Sequence, residues 1–179
     1  TLLLTPDSVR GQIESIEVLA LANDDPNLHF ALLSDFADAP DASMPDDEEL
    51  LAIARAGIAR LNARSGGDRF FLLHRRRVWN ERQSCFMGWE RKRGKLEEFN
   101  QLLAGASDTT FEVCDGNLAI LPQLRYVITL DADTQLPRDA GRALIGTLAH
   151  PLNQAVIDPS TRLVTEGYGI LQPRVGVDL

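Results

Sequence analysis

Cysteine is scarce in this sequence: Cys85 and Cys114 are the two thiols in 179 residues. Neither has another Cys or His nearby at zinc-ligand spacing. Disulfide frameworks belong mainly to small secreted domains, whereas a chain of this length with 44% hydrophobic residues can bury a core without one. We therefore expect two thiols without a special role, in a reducing, cytosolic setting.

Positive charge is also limited, because 18 Lys and Arg residues face 26 Asp and Glu residues and the net charge is -8. Nucleic-acid binding depends on cations that neutralise phosphates, so we expect no nucleic-acid partner. The cations that do occur are concentrated in two runs, at 75–77 and 91–95. This distribution is compatible with a local basic pocket for a small anion.

Long hydrophobic runs are missing as well. No stretch approaches the roughly 20 apolar residues that cross a bilayer, and no signal peptide begins the chain, so we expect it to be soluble as given. Apolar runs lie at both ends, at 2–4 and 169–177, and no Met precedes the first. We expect a piece of a longer protein, with residues 1–179 forming a single partial domain.

The apolar positions alternate between strand-like and helical patterns along the chain. Strands are predicted at 2–4, 28–33, 70–73 and 125–130, and helices at about 6–22, 46–64, 94–103 and 137–149. Residues 75–93 look polar and irregular, and 105–122 give no clear prediction. The alternation predicts an α/β fold with a mainly parallel sheet and helices on both faces. In such sheets ligands bind beyond the carboxyl ends of the strands.

Asp131 and Asp133 directly follow the apolar segment 126–130. On an extended backbone, side chains two residues apart point to the same side, about 6 to 7 Å from each other. Their mutual repulsion is relieved by a hard divalent ion that also bridges to phosphate oxygens. An Asp-x-Asp pattern alone is weak in so acidic a chain and is ordinarily a solvated turn. Its position at a strand end favours a site for Mg²⁺ or Mn²⁺ and a diphosphate.

A second candidate site is the basic run Arg91-Lys92-Arg93-Gly94-Lys95. It combines four cations with the backbone N–H groups of a helix start, which favours an anion such as a diphosphate over a solvated surface. The run 75–77 lacks this context, and a surface role is at least as well supported for it. His29, His74 and His150 have no second ligand at metal-binding spacing, so we expect structural roles for them.

Five segments together resemble the glycosyltransferase region of bacterial cyclic β-1,2-glucan synthases, membrane enzymes related to the processive GT-A transferases. The segments are 28–36 (LHFALLSDF), 70–77 (FFLLHRRR), 88–95 (GWERKRGK), 129–134 (TLDADT) and 166–174 (EGYGILQPR). The resemblance implies a truncated GT-A fold, with UDP-glucose as donor and a glucan as acceptor. It also implies inverting glucosyl transfer at the cytoplasmic face of the bacterial inner membrane.

The resemblance assigns roles to individual residues. Asp133, together with Asp131, holds the metal, whereas Asp35 contacts the uracil ring. Lys92 and Lys95 face uridine or phosphate. The residues implied to bind the donor are Asp35, Arg91, Lys92, Arg93, Gly94, Lys95 and Asp131.

Parts of the family pattern are missing from the chain. The first-strand motif would lie mostly before Thr1, and the general base, the Gln-x-x-Arg-Trp motif and the membrane helices are expected downstream of Leu179. Gln172 resembles a residue near the acceptor channel. An inverting transferase needs its base to take the proton from the acceptor hydroxyl. We therefore expect the fragment to bind donor weakly and not to turn over.

Two alternatives stay open. In a haloacid-dehalogenase-type phosphatase, the nucleophilic Asp ends a buried strand in an Asp-x-Asp-x-Thr pattern. Here Thr134 comes one residue early and Gln135 occupies the expected Thr position. The other alternative is a non-catalytic module, either nucleotide-binding or structural. Titration with UDP-glucose and a divalent metal separates a donor site from such a module.

Overall fold

The structure is a computed structural model that describes residues 2–173, without the side chains of residues 2–4, 6 and 7. Arg174 and the end of the apolar run 169–177 lie outside the described residues. In chain order the elements are β1 (Leu2–Leu4), α1 (Pro6–Ala22), β2 (Phe30–Phe36), α2 (Asp47–Ser65), β3 (Phe70–Arg75), β4 (Val78–Asn80), β5 (Cys85–Met87), α3 (Arg91–Leu103), β6 (Phe111–Asp115), α4 (Ala140–Ala149), β7 (Val156–Ile157) and β8 (Val164–Glu166).

The main sheet has four strands in the order β1-β2-β3-β6. β1 and β3 both run parallel to β2, whereas β6 pairs antiparallel with β3. A mixed α/β architecture is therefore confirmed, but a mainly parallel sheet is not. β6 lies in the part of the sequence that gave no clear prediction, so neither this strand nor its direction was foreseen.

Helices cover both faces of the sheet, as predicted. Successive strand residues point to opposite faces. Leu32 and Leu72 pack in the large core with α1 and α2, while Leu33 and Leu73 pack on the other face with Phe99 of α3. This alternation decides which polar residues near the ends of β2 and β3 can meet.

The predicted helix starts and stops are largely confirmed. Thr5 and Ser8 form a reciprocal capping box at the beginning of α1. Three acids occupy the first turn of α2, where their negative charge interacts favourably with the positive end of the helix dipole. Gly66 ends that helix in a left-handed conformation. α3 begins at Arg91, three residues before the predicted start.

Two predicted strands end too early, because the polar residues that follow their apolar runs were expected to lie outside the sheet. β2 runs over 30–36 instead of 28–33, and β3 ends at Arg75 instead of 73. The additional polar residues have partners across the sheet, which sequence periodicity does not reveal. The segment 75–93 was expected to be irregular, but it contains the antiparallel hairpin β4–β5.

The predicted buried strand at 125–130 is wrong. Residues 124–131 belong to no helix or strand in the described part of the chain, and Tyr126 and Val127 are exposed. A cleft of about 1250 Å³ is lined by this segment and by residues of α1, β2 and α4. A strand needs a partner edge, and an apolar pattern does not report whether one is within reach. The hairpin β7–β8 was also not predicted.

No helix within residues 2–173 has the length and apolar character required to cross a membrane.

Candidate functional site

The ends of β2 and β3 carry a buried ion pair. Asp35 and Arg75 are direct neighbours in the parallel register, so their side chains point to the same face, toward α3. Arg75 Nε donates to Asp35 Oδ1 at 2.8 Å, and Arg75 Nη2 donates to Asp35 Oδ2 at 3.1 Å. This two-pronged geometry is the strong form of a carboxylate–guanidinium contact.

Every N–H group of the Arg75 guanidinium has a partner. Besides Asp35, Nη1 donates to Glu98 Oε2 at 3.0 Å and to the Trp89 carbonyl at 3.1 Å. Nη2 donates to the Arg91 carbonyl at 3.0 Å. These bonds use all five donors that an arginine offers, as a fully buried guanidinium requires.

Helix α3 contributes the other two charges of this buried cluster. Lys95 Nζ lies 3.1 Å from Asp35 Oδ2, and Thr110 donates through its hydroxyl and backbone N–H to Glu98. The two carboxylates, Asp35 and Glu98, thus balance the two cations. We call Asp35, Arg75, Lys95 and Glu98 the buried charge cluster.

Burial acts differently on the two cations. For Arg75, burial lowers the pKa, but its hydrogen bonds and charge interactions with Asp35 and Glu98 outweigh burial and raise the pKa above its usual value. For Lys95, burial dominates and lowers the pKa despite the neighbouring Asp35. Arg75 is therefore the firmly charged centre of the cluster.

A neutral polar pair lies on the opposite face of the same strands. Ser34 Oγ and His74 Nδ1 are 2.9 Å apart, and both residues are completely buried. Burial lowers the pKa of His74 from 6.5 to about 4, so the imidazole is neutral at pH 7. This burial is compatible with the structural role expected for His74 from the sequence, and that role stays a prediction.

A strained turn joins β5 to α3. Glu90 and Arg91 both adopt left-handed backbone conformations, with φ of 48° and 49°. Glycine is required on each side of them. A Cβ on Gly88 would lie 2.7 Å from Asp35 Cγ, and a Cβ on Gly94 would lie 2.1 Å from the Trp89 carbonyl oxygen. The turn therefore packs directly against the buried charge cluster.

The first turn of α3 concentrates positive charge. Arg91, Lys92 and Arg93 are exposed there, no acid occupies this turn, and Glu90 makes no side-chain capping bond. Cations at the positive end of a helix dipole are unfavourable by themselves, and a bound anion relieves that repulsion. The arrangement is compatible with the phosphate-bearing ligand that the sequence predicts, and the binding of such a ligand stays a prediction.

The structure brings this basic turn to the acidic pair. Lys92 Nζ is hydrogen-bonded to Asp131 Oδ1, and this contact holds the pKa of the Asp131 carboxyl below its usual value. Asp131 and Asp133 are both exposed, in a turn closed by the bond from Thr134 N to the Asp131 carbonyl at 3.1 Å. They line the large cleft, which none of residues 91–95 does. The contact between Lys92 and Asp131 therefore lies at the margin of the cleft.

The predicted metal ligands offer two carboxylates only. Within residues 2–173 no group of three or more His, Cys, Asp or Glu side chains gathers in a metal-binding arrangement. Mg²⁺ often uses just one or two carboxylates, with waters and substrate phosphates completing its shell. Asp131 and Asp133 fit that kind of site.

The predicted donor residues fall into two groups. Arg91, Lys92, Arg93 and Asp131 are exposed and can meet a ligand, whereas Asp35 and Lys95 are bonded to each other in the buried charge cluster, and Gly94 is buried against Trp89. Gln172 is exposed and belongs to no helix or strand.

Sequence reasoning missed Arg75 and Glu98. Arg75 was grouped with an ordinary basic run because β3 was predicted to end at 73. Strand alternation extended by two residues would have placed Arg75 on the face of Leu73, beside Asp35. Nothing in the local pattern distinguishes Glu98 from the exposed Glu97 next to it.

Comparison with known proteins identifies a relative of this chain. No protein-family model matches the chain. In an alignment of 172 positions that covers 94% of the chain, it is 48% identical to the cyclic beta-(1,2)-glucan synthase NdvB of Rhizobium meliloti (strain 1021). It spans only 6% of the length of that protein. The predicted resemblance to a fragment of a cyclic β-1,2-glucan synthase is thereby confirmed.

Proposed function

We propose that this chain, related over 94% of its length to a cyclic β-1,2-glucan synthase, forms the donor side of a glucosyltransferase. It binds UDP-glucose together with Mg²⁺ or Mn²⁺, for inverting transfer to a glucan acceptor within a GT-A fold. The observation that carries the proposal is the contact between Lys92 and Asp131. It joins the basic start of α3 to the acidic pair, and a metal-bound diphosphate requires both.

The acidic pair supplies the metal ligands in this proposal. Asp133, assisted by Asp131, holds the ion, which when bound neutralises the charge that develops on the departing diphosphate. Because Asp131 and Lys92 are both half-exposed, their contact contributes little to stability. It can therefore be exchanged for contacts to metal and phosphate at small cost.

The cations of α3 bind the diphosphate from the other side. Lys92 and Arg93 are exposed, and the helix dipole reinforces their charge. Arg93 pairs with Glu90 at 3.4 Å and with Glu97 at 3.7 Å, and a phosphate would compete with these exposed contacts. Arg91 is engaged with Asp38 and Gln83, so a phosphate would compete with these two partners. Asp35 and Lys95 stay predictions as donor contacts, since contact with uridine would require them to open a buried pair.

The rest of the reaction lies beyond these residues. We propose that the general base and the remaining acceptor site are supplied from outside residues 1–179, with Gln172 on the acceptor side. In the full-length protein, we place this domain at the cytoplasmic face of the bacterial inner membrane. The chain alone is then expected to bind donor without transferring glucose.

Calorimetric titration of the chain with UDP and UDP-glucose, each with and without Mn²⁺, tests the donor site. We expect binding that strengthens with Mn²⁺, and Asp133→Ala is expected to remove that strengthening. Asp108→Ala changes an exposed acid outside the site and serves as the control. Absence of binding, or binding indifferent to both Mn²⁺ and Asp133→Ala, would favour a non-catalytic module instead.

A further inference from the structure

We propose that Arg75 is a positioning residue of the donor site, because its guanidinium holds the backbone of the turn 88–91 in the shape that presents Lys92 to Asp131. This inference rests on the proposed donor function and adds to it a residue that itself touches no ligand. Arg75 is completely buried, yet two of its donors reach the turn from which the exposed cations project.

The contacts of Arg75 divide between charge and backbone. Three hydrogen bonds go to the carboxylates of Asp35 and Glu98. The other two go to the carbonyl oxygens of Trp89 and Arg91, which flank Glu90 on either side. A guanidinium that only neutralised Asp35 would not need these carbonyls. The fork of Arg75 thus ties the ends of β2 and β3 to the path of the main chain into α3.

The turn needs such an anchor because its backbone is strained. A non-glycine residue held in a sparsely populated conformation costs about 1–3 kcal/mol and persists only where its surroundings enforce it. Glu90 and Arg91 are two such residues in succession. The two carbonyls bound by Arg75 belong to Trp89, just before this stretch, and to Arg91, its last residue, and Lys92 follows immediately. Relaxation of the turn would therefore change the direction in which Lys92 points.

Lysine in place of Arg75 separates positioning from charge. An ammonium keeps the positive charge beside Asp35 but lacks the planar five-donor fork, so it cannot bond both carboxylates and both carbonyls at once. Arg76→Lys is the matched control, because Arg76 is the next residue in the chain and its side chain is exposed.

Trp89 provides a readout of the turn that does not depend on any ligand. The sequence has two tryptophans, so Trp79→Phe leaves Trp89 as the sole indole. Its ring lies 5.9 Å from the Arg93 guanidinium and against Gly94, so its emission reports on the conformation of this turn. Trp79 is half-exposed and packs edge-on against Phe86. A phenylalanine at position 79 can make the same kind of aromatic contact with Phe86.

The experiment measures Trp89 emission and the affinity for UDP with Mn²⁺ in the Trp79→Phe chain and in its Arg75→Lys and Arg76→Lys derivatives. We expect Arg75→Lys to shift the emission and to weaken UDP binding at least tenfold, while Arg76→Lys changes neither. If Arg75→Lys lowers the urea midpoint but leaves the Trp89 emission spectrum unshifted and the UDP affinity within twofold of the parent, Arg75 is merely structural. That result overturns the proposal.

The Arg75→Lys chain could fail to fold, or the parent chain could fail to bind UDP, and each result is still decisive. If Arg75→Lys does not fold, Glu98→Gln tests the same device, because it weakens the partner that orients Nη1 toward the Trp89 carbonyl. A shifted emission and weaker UDP binding then support the proposal, and unchanged values overturn it. If the parent chain binds no UDP, the proposed function fails. The Trp89 emission of Arg75→Lys still decides separately whether Arg75 shapes the turn.

Discussion

Two lysines of α3, three residues apart in sequence, each pair with an aspartate. One pair is buried and the other is exposed to solvent. The Lys95–Asp35 pair is 3% exposed on both sides, whereas the Lys92–Asp131 pair is 52% and 53% exposed. Asp35 lies on a strand with neighbours on both sides, while Asp131 follows a segment outside the sheet. In the proposed donor site, we expect the buried pair to fix the shape of the turn and the exposed pair to exchange partners with a ligand.

The largest expected effect comes from breaking the buried pair. Asp35→Ala leaves Arg75 and Lys95 buried without their shared carboxylate, and removal of one partner of a buried pair costs about 3–5 kcal/mol. Asp131→Ala removes only a half-exposed partner, with an expected change below about 1 kcal/mol. Urea unfolding of both variants measures the difference, and similar losses for the two would refute the contrast between the pairs.

The next effect tests how tightly the turn packs on the buried charge cluster. Gly88→Ala places a methyl group 2.7 Å from Asp35 Cγ and 2.9 Å from Arg75 Nη2, and overpacking of this kind costs up to about 3 kcal/mol. Gly11→Ala is the control, because no atom lies within 4 Å of a Cβ there and alanine favours its helix. We expect a lower unfolding midpoint for Gly88→Ala and an unchanged or higher one for Gly11→Ala. An unperturbed Gly88→Ala would mean that the turn lies farther from the ion pair.

A smaller effect concerns pH and the neutral pair behind the cluster. The folded-state pKa of His74 is about 4, below the usual 6.5, so the unfolded chain binds more protons between these values. The stability that neutral His74 provides is fully present above pH 6.5 and is lost as pH falls toward 4, by about 2 kcal/mol between pH 7 and pH 5.

Urea unfolding at pH 7 and pH 5 tests this sign. His74→Gln is expected to lose less stability than the wild type between the two pH values, although it starts from a lower value. His150→Gln, which changes an exposed histidine, should retain the wild-type slope. Equal slopes for all three chains would show that His74 titrates normally.

The sequence predicted the parts of the fold that depend on local chemistry. The start of α1 near residue 6, the start of α2 near residue 46 and its end near residue 64 all follow from short-range rules, and the structure has all three within a residue of these positions. The strand at 125–130 failed for the opposite reason, since strand formation depends on a partner edge elsewhere in the molecule.

The sequence predicted part of the candidate site. The predicted part depends on neighbouring residues, and the missed part depends on long-range strand pairing. Exposed cations at a helix start and an acidic pair can be recognised from neighbouring residues, and Lys92 and Asp131 do meet. Burial of Asp35 with Arg75 depends on the register between β2 and β3, 40 residues apart in sequence. No local pattern carries that register, so the sequence left the role of Arg75 open between a surface position and a site, whereas the residue is completely buried.

Paramagnetic relaxation by Mn²⁺ in the presence of UDP tests the donor site most directly. Substoichiometric Mn²⁺ is added to the ¹⁵N-labelled chain with UDP, and the loss of amide signals locates the ion. We expect broadening at 131–134 and at 92–94, and we expect Asp133→Ala to abolish it. Broadening confined to another acidic region, such as 46–49, or unchanged in Asp133→Ala, would contradict the proposed donor site.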